Sequence, residues 1–355
     1  MPVRYPSVDL ARGAGLIGVF IAHTAPITAH TPFYIKWINI SENVAAPLFT
    51  LMLGLSLGLL VSARSDGQSR ARFRLQLTIR SALLVVLGLA AGMLGANVIP
   101  ILQYFGVVYL VLLPVLFLRA RWLLLLAGAM AIVSPLLMTA VQGAFANWMS
   151  AGGAERWYFS PVYQLAELLF SGYGYRVTGL LVFALVGLAV AKAGVGNRST
   201  LVATSLGGGV LMLVGYGLSR LTAISAAAYS GTTLELLGAT GLALVTFSLC
   251  GWLFAGQQVA WLRGVARVLS PVSALGSMTL TVYLLHIVVL GLWARTMPGI
   301  NDDSWPMMFG LIAGSLVFAV LWKKFVGKGP VEWLMGFMAF GHRSWSSERS
   351  RLRTS

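Results

Sequence analysis

The polar side chains that could do chemistry in this sequence stand inside long apolar runs. Asp9, Arg12 and His23 share the first such run. Asp9 and Arg12 are three residues apart, so on a helix they share a face and can pair. His23 lies eleven residues beyond Arg12, close to three helical turns, which places its imidazole on the same stripe about 16 Å higher. A second imidazole, His286, closes the run Thr279-Leu280-Thr281-Val282-Tyr283-Leu284-Leu285-His286. Thr279, Tyr283 and His286 are spaced i, i+4 and i+7, one face of a helix. With a helix starting near Leu275, His286 also stands about 16 Å above its start. The two histidines are therefore expected at one level, able to line one buried site together with Tyr283. His30 follows Pro26 and is expected in an exposed loop, which makes it the weaker candidate.

Imidazole titrates near pH 6.5, so it suits a general base or a nucleophile. His23 and His286 are the expected catalytic pair. Thr279, Tyr283 and His30 would orient an acceptor or donate to a developing oxyanion. Asp9 and Arg12 would shape the cytoplasmic mouth, where the Arg12 guanidinium can meet a phosphate. The structural alternative is an interfacial ion pair below and interhelical hydrogen bonds above. Titratable groups at membrane depth are rare, however, and mark functional sites by default.

The elements that must position these residues follow from composition. Of 355 residues, 58% are hydrophobic and 10% charged, with a mean hydropathy of +0.83. Soluble domains carry about 25% charged residues. So apolar a chain needs lipid around it, and its apolar runs are too long for strands. The expected fold is an all-α, polytopic transmembrane helix bundle. Ten spans are expected, near 10–28, 44–62, 80–98, 102–118, 122–141, 177–193, 200–218, 234–254, 275–294 and 306–322. The first is read as a retained helix, since no cleavage site follows it. With both termini cytoplasmic, twenty of the twenty-five Lys and Arg residues fall on the inner side. Losing one span would invert every later loop and spoil that bias.

The net charge of +15 is spread over the ends of apolar segments, where it fixes orientation and meets anionic lipid. A nucleic-acid partner is not expected. Cys250 stands alone and can form no internal disulfide, and no metal site is expected from four scattered histidines. The connection 142–176 is rich in Trp and Tyr and is expected outside, with an interfacial helix near 161–171. It reads as an aromatic anchor, or as a lid over an acceptor site. Gly54 with Gly58, and Gly88 with Gly92, are small-xxx-small pairs that let helices approach closely. One transmembrane domain over residues 1–340 and a basic cytoplasmic tail over 341–355 complete the expected organisation.

Four blocks resemble known families. Ser7-Val8-Asp9-Leu10-Ala11-Arg12-Gly13 is similar to the start of heparan-α-glucosaminide N-acetyltransferase-like and YeiB-like membrane proteins. Ile101-Leu102-Gln103-Tyr104 resembles their Val-Leu-Gln-Arg block, with Tyr104 in place of the arginine. Gly276-Ser277-Met278-Thr279-Leu280-Thr281-Val282-Tyr283 resembles the late YeiB-like helix, and Gly329-Pro330-Val331-Glu332-Trp333 its C-terminal block. The blocks occur in family order over nearly the whole chain. They imply the transmembrane acyltransferase superfamily, whose members pass an acyl group from cytosolic acyl-CoA to an acceptor across or within the membrane. The resemblance adds Gln103 to Asp9 and Arg12 as residues expected to face acyl-CoA, and Glu332 to those expected to orient the acceptor. His23 and His286 stand where YeiB-like chains carry Asn and often Gln. O-antigen-type acyltransferases carry an essential Arg and His on the first helix, at a spacing close to that of Arg12 and His23.

The expected function is acyl transfer, with acetyl-CoA as the donor and a cell-envelope glycan or lipid as the acceptor, in the plasma membrane. Membrane lipids are expected partners, and a homodimer stays open. A small-solute transporter or channel is the rival reading, although no inverted repeat is visible. The topology predicts that, with Cys250 replaced, cysteines at Ser69 and Ser347 react only from the cytoplasm and one at Ser150 only from outside. Labelling of positions 69 and 150 from the same side would overturn the ten-span topology.

Overall fold

A computed structural model describes residues 5–27, 31–32, 35, 40–64, 68–150, 160–172 and 174–341. Among them there is no strand. The helices are α1 (Pro6–Thr24), α2 (Ile40–Ser62), α3 (Arg70–Gly92), α4 (Leu102–Leu112), α5 (Ala120–Ser150) and α6 (Pro161–Ala166). They continue as α7 (Val177–Ala193), α8 (Arg198–Leu221), α9 (Thr233–Ala255) and α10 (Ala260–Val268). The last are α11 (Ser270–Gly276), α12 (Thr279–Thr296), α13 (Trp305–Phe325) and α14 (Pro330–Phe340). Proline opens several of them, at a position whose N–H has no helical partner anyway. Ser69, Ser160 and Ser304 cap α3, α6 and α13 by accepting a first-turn N–H. Gly341 ends α14 with φ of 69°, the left-handed conformation that glycine takes without strain.

Each of the ten expected segments holds a helix. Seven helices among the described residues are long and apolar enough to cross a membrane: α2, α3, α5, α8, α9, α12 and α13. The chain is an all-helical, multi-pass membrane protein. Several boundaries differ from expectation; α4, for one, ends at Leu112 and not near 118. The helix α3 begins at Arg70, ten residues early, because the basic stretch is itself helical. Next, α5 runs 31 residues to Ser150, past the expected end at 141. The ninth expected segment is two helices, α11 and α12, interrupted after Gly276. A helix stands near 161–171 as expected, α6 followed by a π-helical turn over Glu167–Ser171. Nearly all of the tail and His30 lie outside the described residues.

Two compact units divide the described residues. One gathers those within Thr50–Ala63 and Val107–Ser248, the other those within Val3–Phe49, Arg64–Gly106 and Leu249–Ser355. In the first unit α7 is apolar all round and is buried from Val177 to Ala191. Gly54 and Gly187 let α2 and α7 touch backbone to backbone, Gly58 receives the Ala191 methyl, and a methyl on any of the three would overlap the facing helix. In lipid no hydrophobic force drives helices together, so such close packing must hold them. The helix α5 shows the resulting pattern. Leu123, Ala127, Ala131 and Ser134 form its buried stripe, while Leu124, Leu125, Ile132 and Leu136 face outward.

An ion pair closes the same unit. Arg176 and Glu235 are each 7% exposed, with Nη2 and Oε2 3.8 Å apart. Glu235 also accepts from the N–H groups of Tyr229, at 2.9 Å, and Gly231. Arg176 donates to the carbonyls of Gly172 and Tyr229 at 3.2 and 3.3 Å. The pair thus ties the start of α7 to the turn before α9. Removing one partner of a buried pair costs about 3–5 kcal/mol, because the other is left charged and unpaired. Glu235→Ala and Arg176→Ala should each lower the thermal midpoint in detergent markedly, and the double variant by less than their sum. Additive losses would show that the pair is not coupled.

Candidate functional site

All of the described site candidates fall in the second unit, and that unit is built around α1. Gly13 of α1 lies against the Val272 carbonyl of α11, and Gly276 of α11 lies against the Asp9 carbonyl of α1. The two glycines face opposite helices, so α1 and α11 cross with their backbones in contact. On another side, Gly15 and Gly18 receive Phe49 and Ala45 of α2. This leaves α1 little freedom to rotate, which fixes where Asp9, Arg12 and His23 point.

The histidines meet. His23 Nδ1 lies 3.2 Å from His286 Nε2, and the ring centroids are 5.4 Å apart with planes 29° from parallel. His286 is 1% exposed, whereas His23 is only partly buried. The second nitrogen of His286, Nδ1, is hydrogen-bonded to the backbone carbonyl of Tyr283. A carbonyl only accepts, so in the neutral ring Nδ1 carries the proton and Nε2 the lone pair. His23 Nδ1 must then donate to His286 Nε2. The tautomers assigned from this network leave Nε2 of His23 with the lone pair. The arrangement is a directional relay, from carbonyl to imidazole to imidazole, ending in one basic nitrogen.

Neighbouring rings hold the pair. Phe20, fully buried, has its centroid 5.2 Å from His286, and Tyr283 meets the same ring edge-on at 4.8 Å. The Tyr283 hydroxyl accepts the Ile101 N–H at 3.0 Å, fastening α12 to the segment that precedes α4. Neither Phe20 nor Ile101 was expected at the site. Phe20 lies three residues before His23, on the same helix face, and that spacing would have found it.

The remaining candidates lie elsewhere in the unit. Asp9 and Arg12 form their expected pair at 3.6 Å, with the Arg12 side chain 29% exposed. Gln103 is half-buried and its backbone presses on Gly88, so this block closes the turn between α3 and α4. The Thr279 hydroxyl donates to the Gly276 carbonyl at 2.7 Å, at the interruption before α12. Glu332 accepts from the first N–H groups of α12, so its carboxylate is turned to backbone. His286 lies seven residues into α12, about 10 Å from its start, since the helix begins at Thr279 and not at Leu275.

The sequence model of a family described as "Acyltransferase domain" matches residues 5–322, which include α1 and α12 entire. A comparison with curated proteins finds no match.

The α1–α11 crossing generates a test. Gly276→Ala would push a methyl into the Asp9 backbone, where neither side can retreat easily. Overpacking of this kind costs about 1–3 kcal/mol. The variant should melt at a lower temperature, whereas Gly92→Ala, whose nearest neighbour is Pro100 at 4.0 Å, should not. Equal midpoints for the two would show that the crossing is not tight.

Proposed function

The chain belongs to the acyltransferase-domain family, and within that family we propose that it carries an acyl group from cytosolic acyl-CoA to a cell-envelope glycan or lipid, with acetyl the first candidate. The observation that carries this reading is the 3.2 Å hydrogen bond between His23 and His286, which leaves one imidazole nitrogen basic. The four ordered sequence blocks support a place beside the YeiB-like and heparan-α-glucosaminide N-acetyltransferase-like proteins. The plasma membrane is the proposed location.

In the proposed reaction His23 Nε2 takes the proton of the acceptor hydroxyl or amine as that atom attacks the thioester carbonyl. The carbonyl becomes a tetrahedral oxyanion. Its collapse breaks the carbon–sulfur bond, and the CoA sulfur leaves with the proton that His23 has held. His286 keeps the His23 ring in the right tautomer through its Nε2 lone pair, and spreads the positive charge that forms. This role is carried by an aspartate in Ser-His-Asp sites. Here the partner is neutral, so no fixed negative charge is buried beside the base. Arg12, partly exposed and tethered by Asp9, would meet a phosphate of the CoA.

His23→Ala should reduce thioester-dependent acylation by about 10²–10⁴-fold, the usual weight of a general base. His286→Ala should cost less, because it removes the orienting partner and leaves the base. The measurement is release of free CoA by purified protein in liposomes supplied with acetyl-CoA and envelope glycan. An unchanged rate in well-folded His23→Ala would overturn the assignment, and inactivity in His286→Ala alone would transfer the role to His286.

A further inference from the structure

We propose that Glu332 is a positioning residue for the acyl transfer, setting the height and rotation of α12 so that His286 meets His23. The proposal rests on the reading of the paired imidazoles as the reacting site.

The geometry begins at the interruption. In an unbroken helix the Leu280 N–H would bond the Gly276 carbonyl, four residues back. The Thr279 hydroxyl takes that carbonyl instead, at 2.7 Å. The displaced donors turn to another helix. Leu280 N and Thr281 N bond Glu332 Oε1 at 2.6 and 3.1 Å. Thr281 completes the exchange. Its hydroxyl donates to Glu332 Oε2 and accepts the Val331 N–H, at 3.1 Å, from the first turn of α14. Two helix N-termini therefore meet across one carboxylate. Each carries the positive end of a helix dipole, which a carboxylate there stabilises. Gly329 makes room for the contact: it is buried, and a methyl on it would overlap Glu332 Oε2, Thr281 Oγ1 and Met278 Cβ.

From this joint to the site is a short rigid path. Tyr283 comes one turn after Thr279 and bonds Ile101 N at 3.0 Å; His286 follows one turn later. A shift at the start of α12 is thus carried to His286 with only Tyr283 between. Misplacement of a reacting group by about 1 Å can cost about 10²-fold in rate.

The test uses full-length protein in detergent or liposomes. Glu332→Ala should lower kcat by about ten- to a hundredfold and leave KM for acetyl-CoA within about twofold. Glu332→Gln, which keeps an acceptor oxygen for the two N–H groups, should recover most of that loss. In 15N-histidine spectra, the coupled signals of the His23–His286 hydrogen bond, assigned by their loss in His286→Gln, should vanish in Glu332→Ala and return in Glu332→Gln. If Glu332→Ala does not fold, Gly329→Ala is read the same way, and its spectrum should also lose the coupling. An unperturbed spectrum in Glu332→Ala or Gly329→Ala overturns the proposal. Loss of the coupling with no change in acyl-transfer rate upholds the positioning and instead overturns the reading of the imidazole pair as the reacting site.

Discussion

A helix N-terminus leaves its first backbone N–H groups without intrahelical partners, and burying one unsatisfied costs about 1–3 kcal/mol. The second unit is organised by one place where that constraint is acute. The helical path is interrupted between Gly276 and Thr279, and the donors freed there need acceptors. Glu332 supplies one oxygen to two of them, while Thr279 covers the carbonyl that Leu280 left. Every contact that α12 makes further along, including those of Tyr283 and His286, starts from that repaired end.

The interruption has a geometric reason. A straight helix through residues 270–296 would follow one line, but α11 packs on α1 with backbone contact at Gly13 and Gly276. Ending α11 there frees the first N–H groups of α12 for Glu332, and α12 carries His286 to His23. The same currency of close approach serves the first unit, where Gly54, Gly58 and Gly187 bring α2 and α7 together. In both units close contact at small residues holds helices together, and along α5 large residues such as Leu124 and Leu125 are turned outward.

Much of the fold was legible because long apolar runs mark membrane helices, whether they face outward or, like α7, are buried. The segments 177–193 and 234–254 match α7 and α9 almost residue for residue, and the helix near 161–171 stands where its aromatic, Ser-Pro-led sequence put it. Less legible were features that carry no hydropathy signal. The basic start of α3 reads as a loop by charge, yet its long side chains are tolerated on a helix. The interruption after Gly276 lies inside the single span expected over 275–294, and it sits where α11 packs on α1, far away in sequence. At the site, the shared face and rough depth of His23 and His286 pointed to their meeting, although α12 starts four residues later than the arithmetic assumed. They offered no sign that Glu332 would bond the backbone of α12, because that contact depends on two helices far apart in the chain meeting end to end.

The joint of Gly276, Thr281, Gly329 and Glu332 also has an evolutionary consequence. Each position is suited to the others as they stand: a larger residue at 329 displaces the carboxylate, a lost carboxylate strands the N–H groups of α12, and a larger residue at 276 moves the end of α11 from which they project. A lineage cannot easily drift at one of these sites alone. Related sequences should either keep the four together or replace them as a set, most simply by closing the gap between α11 and α12 into one continuous helix. Chains of that second kind would have no use for an acidic residue at position 332, and their histidine on α12 would have to be brought to α1 by some other route.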